Sequence, residues 1–156
     1  MPVVVSRRAA GAPALDARSV KRRAERMLSA LGRARAELSI VLTDDPQIEV
    51  LNRTHRRKAK PTDVLAFPMD AAGAGPSGKM QLLGDVVISL DTAARQARAR
   101  RRPLMDEVTH LLAHGILHLA GFDHRTDAEE RRMNEATRAL VVSATGRSIL
   151  VTPLSK

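Results

Sequence analysis

Four of the chain's five histidines fall between His110 and His124. His114 and His118 are spaced i, i+4, which on a helix puts both rings on one face, about 6 Å apart along the axis. Gly121 follows where a C-cap glycine lets the chain reverse. His124 arrives after that turn and can point back at the same spot. Two helical ligands plus one returning ligand leave a fourth tetrahedral position open, the layout of a catalytic zinc site rather than a closed structural one. The expected ligands are His114, His118 and His124, holding one Zn2+ per chain. There is no cysteine to complete a Cys/His structural site. His110 lies on the same stripe, but about 12 Å along the axis from His118, too far to share the ion. It reads as a support for the ligands or a satisfied core residue.

The spacing H-x3-H-x2-G-x2-H also matches the zinc-binding run of metzincin proteases, which place a glutamate directly after the first histidine as general base. Here that position is Gly115. The zinc cage is present and the base for peptide hydrolysis is absent. A zinc held this way would lower the pKa of a bound water toward about 7, which suits a reaction needing less help than amide cleavage.

The elements that must position these residues follow from periodicity. Val3 to Val5 is a β-branched strand, and Gly11 to Pro13 a loop. Asp16 caps a helix with Val20, Ala24, Met27, Leu28 and Leu31 on one side; Gly32 ends it. Its other side, Arg18, Lys21, Arg22 and Arg26, reads as a solvated surface rather than a binding stripe. Glu37 to Leu42 is a half-buried strand, with Leu38, Ile40 and Leu42 alternating. Asp44-Asp45-Pro46 starts a helix that buries Ile48 and Leu51. A basic cluster, Arg53 to Lys60, precedes the strand Val64 to Phe67. Met69 to Gly84 is a Gly/Pro-rich connection without a phosphate-loop ending. Asp85 to Leu90 is a further strand, and Asp91 caps the helix after it. Pro103 opens the histidine-bearing helix, whose positions Leu104, Val108, Leu111, Leu112, Ile116 and Leu119 form one apolar face. Asp127 to about Ser143 is a last helix. Asp63 and Asp85 sit at strand starts as caps or orienters, and Asp123 can hold a ligand ring or shape the turn.

The expected architecture is α+β: a single domain over 1–156, with about four strands in a mixed sheet, about five helices packed on it, and the zinc site at the end of the histidine-bearing helix. The chain has 156 residues, enough for one compact core. It has no apolar run long enough for a membrane span, and its start is too poor in apolar residues for a signal peptide. The formal charge of +9 points to an anionic partner, most often nucleic acid; a solvated surface in an arginine-rich proteome is the other reading. Phe67 and Phe122 are the only aromatics, since Trp and Tyr are absent. RNA contact would then rest on phosphate charge and shape rather than base stacking.

Three segments, taken together, resemble the YbeY family of bacterial rRNA maturation factors. The first is His114-Gly-Ile-Leu-His118-Leu-Ala-Gly121-Phe-Asp123-His124. The second is Leu51-Asn52-Arg53-Thr54-His55-Arg56 with Pro61-Thr62-Asp63-Val64-Leu65-Ala66-Phe67-Pro68. The third is Gly84-Asp85-Val86-Val87-Ile88-Ser89 with Gln96-Ala97 downstream. The matches run in family order from about Leu51 to His124. The sequence departs from the family's habit at His55, Ala66, Phe122 and Thr137, none of them an expected ligand. The resemblance implies a zinc-dependent, single-strand-specific endoribonuclease of the cytoplasm, acting in 16S rRNA 3′-end maturation and ribosome quality control. Its implied partners are ribosomal RNA, the small ribosomal subunit and associated assembly proteins, with no membrane. Arg56 matches the family's basic residue, so Arg56 and His114 are the expected catalytic groups, with Arg56, Arg57 and Lys58 binding substrate. Two other classes stay open on the residues alone. One is a zinc-stabilised assembly factor that does not cut, the other a zinc hydrolase of non-nucleic substrates.

Overall fold

The computed structural model describes residues 3–8, 14–56, 62–69 and 82–147, with the backbone alone at residues 55 and 56. The 11–13 loop, the 70–81 connection, the tail beyond 147, and Arg57 and Lys58 lie outside the described residues. Nine elements are described in chain order: β1 (Val3–Arg7), α1 (Ala17–Ala30), β2 (Glu37–Thr43), α2 (Asp45–Arg56), β3 (Val64–Pro68), β4 (Leu82–Ser89), α3 (Leu90–Ala99), α4 (Leu104–Leu119) and α5 (Asp127–Thr145).

The four strands form one mixed sheet in the order β1-β2-β4-β3. β1, β2 and β4 run parallel, with Ile40 opposite both Val5 and Val86; β3 runs antiparallel at the edge, with Val64 opposite Ile88. Side-chain alternation divides the sheet's two faces. Leu38, Ile40, Leu42, Val86 and Ile88 join the main core with residues of α1, α3, α4 and α5. Val87 and Leu65 point the other way and are covered by Ile48 and Leu51 of α2. The α+β expectation of four strands and five helices therefore holds.

Local signals explain most boundaries. Asp16 caps α1 by accepting from the Arg18 N–H at 3.1 Å, and Asp44 accepts from the Gln47 N–H at 3.0 Å at the start of α2. Thr126 and Glu129 close a reciprocal capping box on α5. Two readings need correction. Ser89, not Asp91, caps α3, its hydroxyl accepting from the Thr92 N–H at 3.3 Å; the Asp91 carboxylate instead accepts from the Asp45 N–H at 3.0 Å and ties α3 to α2. Asp85 lies inside β4, which begins at Leu82.

The histidine-bearing helix differs from its sequence pattern. A single apolar face was expected, yet α4 is buried nearly all round, from Asp106 through Ala113 and again at Gly115, Ile116 and Leu117. It is the central helix of the core, held by the sheet on one side and by α1, α3 and α5 on others. Leu111, Leu112, Ile116 and Leu117 are at most 1% exposed, and burying each is worth about 1.5–3 kcal/mol. The helix that carries His114 and His118 is thus one of the firmest parts of the molecule.

Candidate metal centre

Gly121 makes the turn that returns His124. Its φ is +102°, a conformation that favours glycine. The Gly121 N–H donates to the His118 carbonyl at 3.1 Å and the Phe122 N–H to the Leu117 carbonyl at 2.9 Å. These are the two bonds of a Schellman closure, and the partly buried Phe122 packs against the core beside them. The Asp123 carboxylate then accepts from the His124 N–H at 2.7 Å and pairs with Arg125 Nε at 2.9 Å. That backbone N–H holds the Asp123 carboxyl below its usual value. Asp123 thereby fills the turn-shaping role expected of it.

The result is the expected constellation. The ligand atoms of His114, His118 and His124 all lie within 4.8 Å of one another, and all three rings are half-buried. Ring centroids stand 4.7 Å apart for His114–His118, 5.2 Å for His118–His124 and 5.9 Å for His114–His124. Tetrahedral nitrogens around an ion at about 2.0–2.1 Å would be about 3.3 Å apart, so the three rings stand close to the spacing that a shared ion requires. Burial, reinforced by the neighbouring His118, His124 and His110, pushes the His114 imidazole down to about 3. It is therefore neutral at ordinary pH, the state in which imidazole ligates. The site lies at the carbonyl end of α4, where the helix dipole favours a cation by about 0.3–1 kcal/mol. Three imidazole nitrogens gathered in this way could hold a divalent metal ion.

His110 stays out of the cluster, as its axial distance required. It is 1% exposed, and its Nδ1 lies 3.0 Å from Arg102 Nη2. A guanidinium can only donate, so Nδ1 accepts and the ring is the neutral Nε2–H tautomer. Burial, with the positive charges of Arg102 and Arg100, pushes its pKa down to about 4.

Sequence reasoning missed what anchors the start of α4. Glu107 is fully buried and takes Arg100 Nη1 at 2.5 Å and an Arg102 nitrogen at 2.8 Å. Asp106, 5% exposed, accepts from Arg147 at 2.8 and 3.2 Å and lies 3.5 Å from Arg23 Nη1. The available signal was two adjacent acids at the head of an apolar helix, directly after an arginine run. The intervening Arg101 takes a left-handed φ of 54°, which lets the residues on either side both face Glu107.

The glycine in the protease-base position also has a packing cause. A Cβ at Gly115 would fall 2.7 Å from Val86 Cγ1 and 3.5 Å from Val64 Cγ2. Any side chain there forces Val86 to shift, so glycine suits the close seating of α4 on the sheet and a glutamate does not. The other segments quoted for the family resemblance converge beside one another. Gln96 Nε2 donates to Asp63 Oδ2 at 3.2 Å, and the Ser89 N–H to the Asp63 carbonyl at 3.0 Å. Thr137 is buried in α5, its hydroxyl donating to the Met133 carbonyl at 2.7 Å. Arg56 ends α2, the helix on the sheet face opposite the main core; its side chain, like Arg57 and Lys58, lies outside the described residues.

Comparison with known proteins supplies the family. A family model described as Endoribonuclease YbeY matches residues 10–144. A protein named Endoribonuclease YbeY from Anaeromyxobacter sp. (strain Fw109-5) is 54% identical over 118 residues, covering 75% of this chain and 59% of that protein. Its namesake from Aquifex aeolicus (strain VF5) is 45% identical over 130 residues, 83% of this chain and 84% of that one. The chain thus spans less than two thirds of the Anaeromyxobacter relative's length. In fold, it is similar to a Thermotoga maritima protein solved in solution, with a TM-score of 0.63 at 23% identity over 92% of this chain and 90% of that one. With most of its length matched and its three histidines gathered at the end of α4, the chain belongs to the Endoribonuclease YbeY family.

Proposed function

We propose that this chain is a zinc-dependent endoribonuclease that cuts single-stranded RNA, with one Zn2+ held by His114, His118 and His124. The observation that carries the reading is the three-imidazole cluster, its ligand atoms within 4.8 Å, in a chain whose matched relatives are named endoribonucleases. The donor set suits zinc because it is nitrogen-only and three-coordinate with an open side. When bound, the ion supplies Lewis-acid polarisation of a phosphoryl oxygen and acidifies a water.

The protein's own residues do the rest. α4 fixes two rings on a rigid axis, and the Gly121 turn fixes the third. Burial keeps His114 neutral and ready to ligate. Arg56 clamps the scissile phosphate with a two-pronged guanidinium contact and stabilises the charge that grows on it, and Arg57 and Lys58 hold the flanking backbone. The substrate is ribosomal RNA. The work is 16S 3′-end maturation and quality control on the small ribosomal subunit, with its assembly proteins, in the cytoplasm. Among the described residues no helix is long and apolar enough to cross a membrane.

The test is cleavage of a defined single-stranded RNA by metal-replete protein, by chelated protein and by His118→Ala, all free of contaminating nuclease. Cutting by the replete wild type alone is expected. Replete protein that binds RNA and never cuts it would support a non-catalytic assembly factor instead.

A further inference from the structure

The basic side of α1 borders a depression rather than open solvent. A cavity of about 250 Å3 is lined by Ser19, Arg22, Arg23 and Arg26 of α1 and by Ala144 and Thr145 at the end of α5. Residues 19, 22, 23 and 26 share one helix face by their spacing. The arginine heads are fixed but not consumed. Arg22 Nη2 donates to Ser19 Oγ at 3.3 Å, and Arg26 Nη1 to the Ala144 carbonyl at 3.0 Å. Arg23 Nη1 donates to Thr109 Oγ1 at 2.6 Å and lies 3.5 Å from Met105 O and from Asp106 Oδ1. Each contact occupies one terminal nitrogen of a group with five N–H donors.

The charge balance favours an anion. None of the six lining residues is acidic. Of the carboxylates alongside, Asp106 is shared with Arg147, and Asp16 is engaged by the Arg18 N–H and the Ser19 hydroxyl. Like charges stacked three and four residues apart on a helix repel one another, and an anion in the depression would offset that. The volume of about 250 Å3 leaves room for a phosphate group.

We propose that this depression is a docking site for the phosphates of an RNA backbone, separate from the histidine cluster. The proposal rests on the reading of RNA as the substrate. Thr109, which Arg23 holds, precedes His118 by nine residues on α4, about 13 Å along the axis. From His114 it is about 8 Å along the same axis, and none of the three clustered histidines lines the depression, so we assign it the flank of the substrate rather than the reacting phosphate. A chain with two phenylalanines and no Trp or Tyr has little base stacking to offer, so added phosphate contacts are the available route to affinity.

The experiment measures single-stranded RNA binding by the full chain at several salt concentrations, together with single-turnover cleavage. The double variant Arg22→Ala/Arg26→Ala should bind about tenfold more weakly and lose about 1.4 from the slope of log affinity against log salt, two contacts at about 0.7 each. Its maximal cleavage rate should match wild type. Arg22→Lys/Arg26→Lys should retain most of the slope. Arg18→Ala/Lys21→Ala removes equal charge from the same helix outside the cavity and should cost less affinity. Equal losses from the two alanine pairs would overturn the site while leaving the nuclease reading intact. A wild type that binds no RNA would overturn both. Loss of binding to polyglutamate, with RNA binding unchanged, would assign the depression to an acidic protein and overturn the RNA proposal.

Discussion

Gly115 meets Val86 so closely that a Cβ on the glycine would stand 2.7 Å from Val86 Cγ1 and 3.1 Å from Cγ2. The contact lies directly beside His114, so the seating of α4 on β4 and the position of the His114 ring are set by the same glycine. Gly115→Ala gains about 1 kcal/mol of helix propensity but overpacks a stiff β-branched neighbour, at about 1–3 kcal/mol. A net loss of stability with weaker metal binding is expected, and the added change Val86→Ala should recover part of the metal affinity. Denaturant titrations and metal competition on the two single variants and the double form the cycle that checks it. Additive effects would show that the contact does not govern the site.

A second prediction concerns Glu107. It is fully buried between Arg100 and Arg102, and removing one partner of a buried ion pair typically costs about 3–5 kcal/mol. Glu107→Gln should therefore be strongly destabilising in urea. The exposed Arg53–Glu49 pair at 3.1 Å is the internal control: Glu49→Gln should change stability by no more than about 1 kcal/mol. Similar values for both would mean that burial does not set the strength of these pairs.

His110 gives a pH prediction. Its folded pKa is about 4 against an ordinary 6.5, so the unfolded chain takes up a proton that the folded chain refuses. Its contribution to stability is complete above about pH 6.5 and is lost as pH falls toward 4, on the order of 3 kcal/mol across the window. In metal-free protein, His110→Gln should flatten the fall in stability between pH 7 and pH 5 relative to wild type. Gln can still accept from Arg102. Parallel curves for the two proteins would assign the acid sensitivity to other groups.

The fourth prediction separates holding metal from using it. If Arg56 clamps the scissile phosphate, Arg56→Ala should keep its zinc and its fold yet cut RNA about a hundredfold more slowly, the usual scale for losing one transition-state donor. Arg56→Lys should recover only part, because an ammonium cannot make the paired contact. Arg57→Ala should mainly weaken binding. Single-turnover rates at saturating protein keep binding and chemistry apart. Equal rates for Arg56→Ala and wild type would remove Arg56 from the mechanism.

The gathering of His114, His118 and His124 was legible because local rules fix it: an i, i+4 pair, a glycine at the turn and a short return are geometry written in consecutive residues. The strands were legible for the same reason, as the alternation of Leu38, Ile40 and Leu42 shows. The surroundings of α4 were not. An amphipathic stripe describes a helix with one wet side, whereas α4 is enclosed by elements whose arrangement no local pattern encodes. Asp106 and Glu107 could be buried only because Arg23, Arg147, Arg100 and Arg102 converge on them, and Arg23 is 83 residues away from Asp106 in sequence. The cap of α3 went to Ser89 because Asp91 was drawn to the Asp45 N–H, a contact between helices that sequence spacing does not reveal.

The central claim is that the histidine cluster holds one zinc and that this zinc is needed to cut RNA. Its most direct test returns zinc stepwise to chelated protein and reads metal content and single-turnover cleavage of a defined single-stranded RNA in the same samples. Cleavage should rise in proportion to occupancy and level off at about one zinc per chain. His114→Ala, His118→Ala and His124→Ala should neither bind zinc nor cut, while His110→Ala should retain most of its metal. Cleavage that survives chelation, or a site emptied by His110→Ala but not by His124→Ala, would contradict the account.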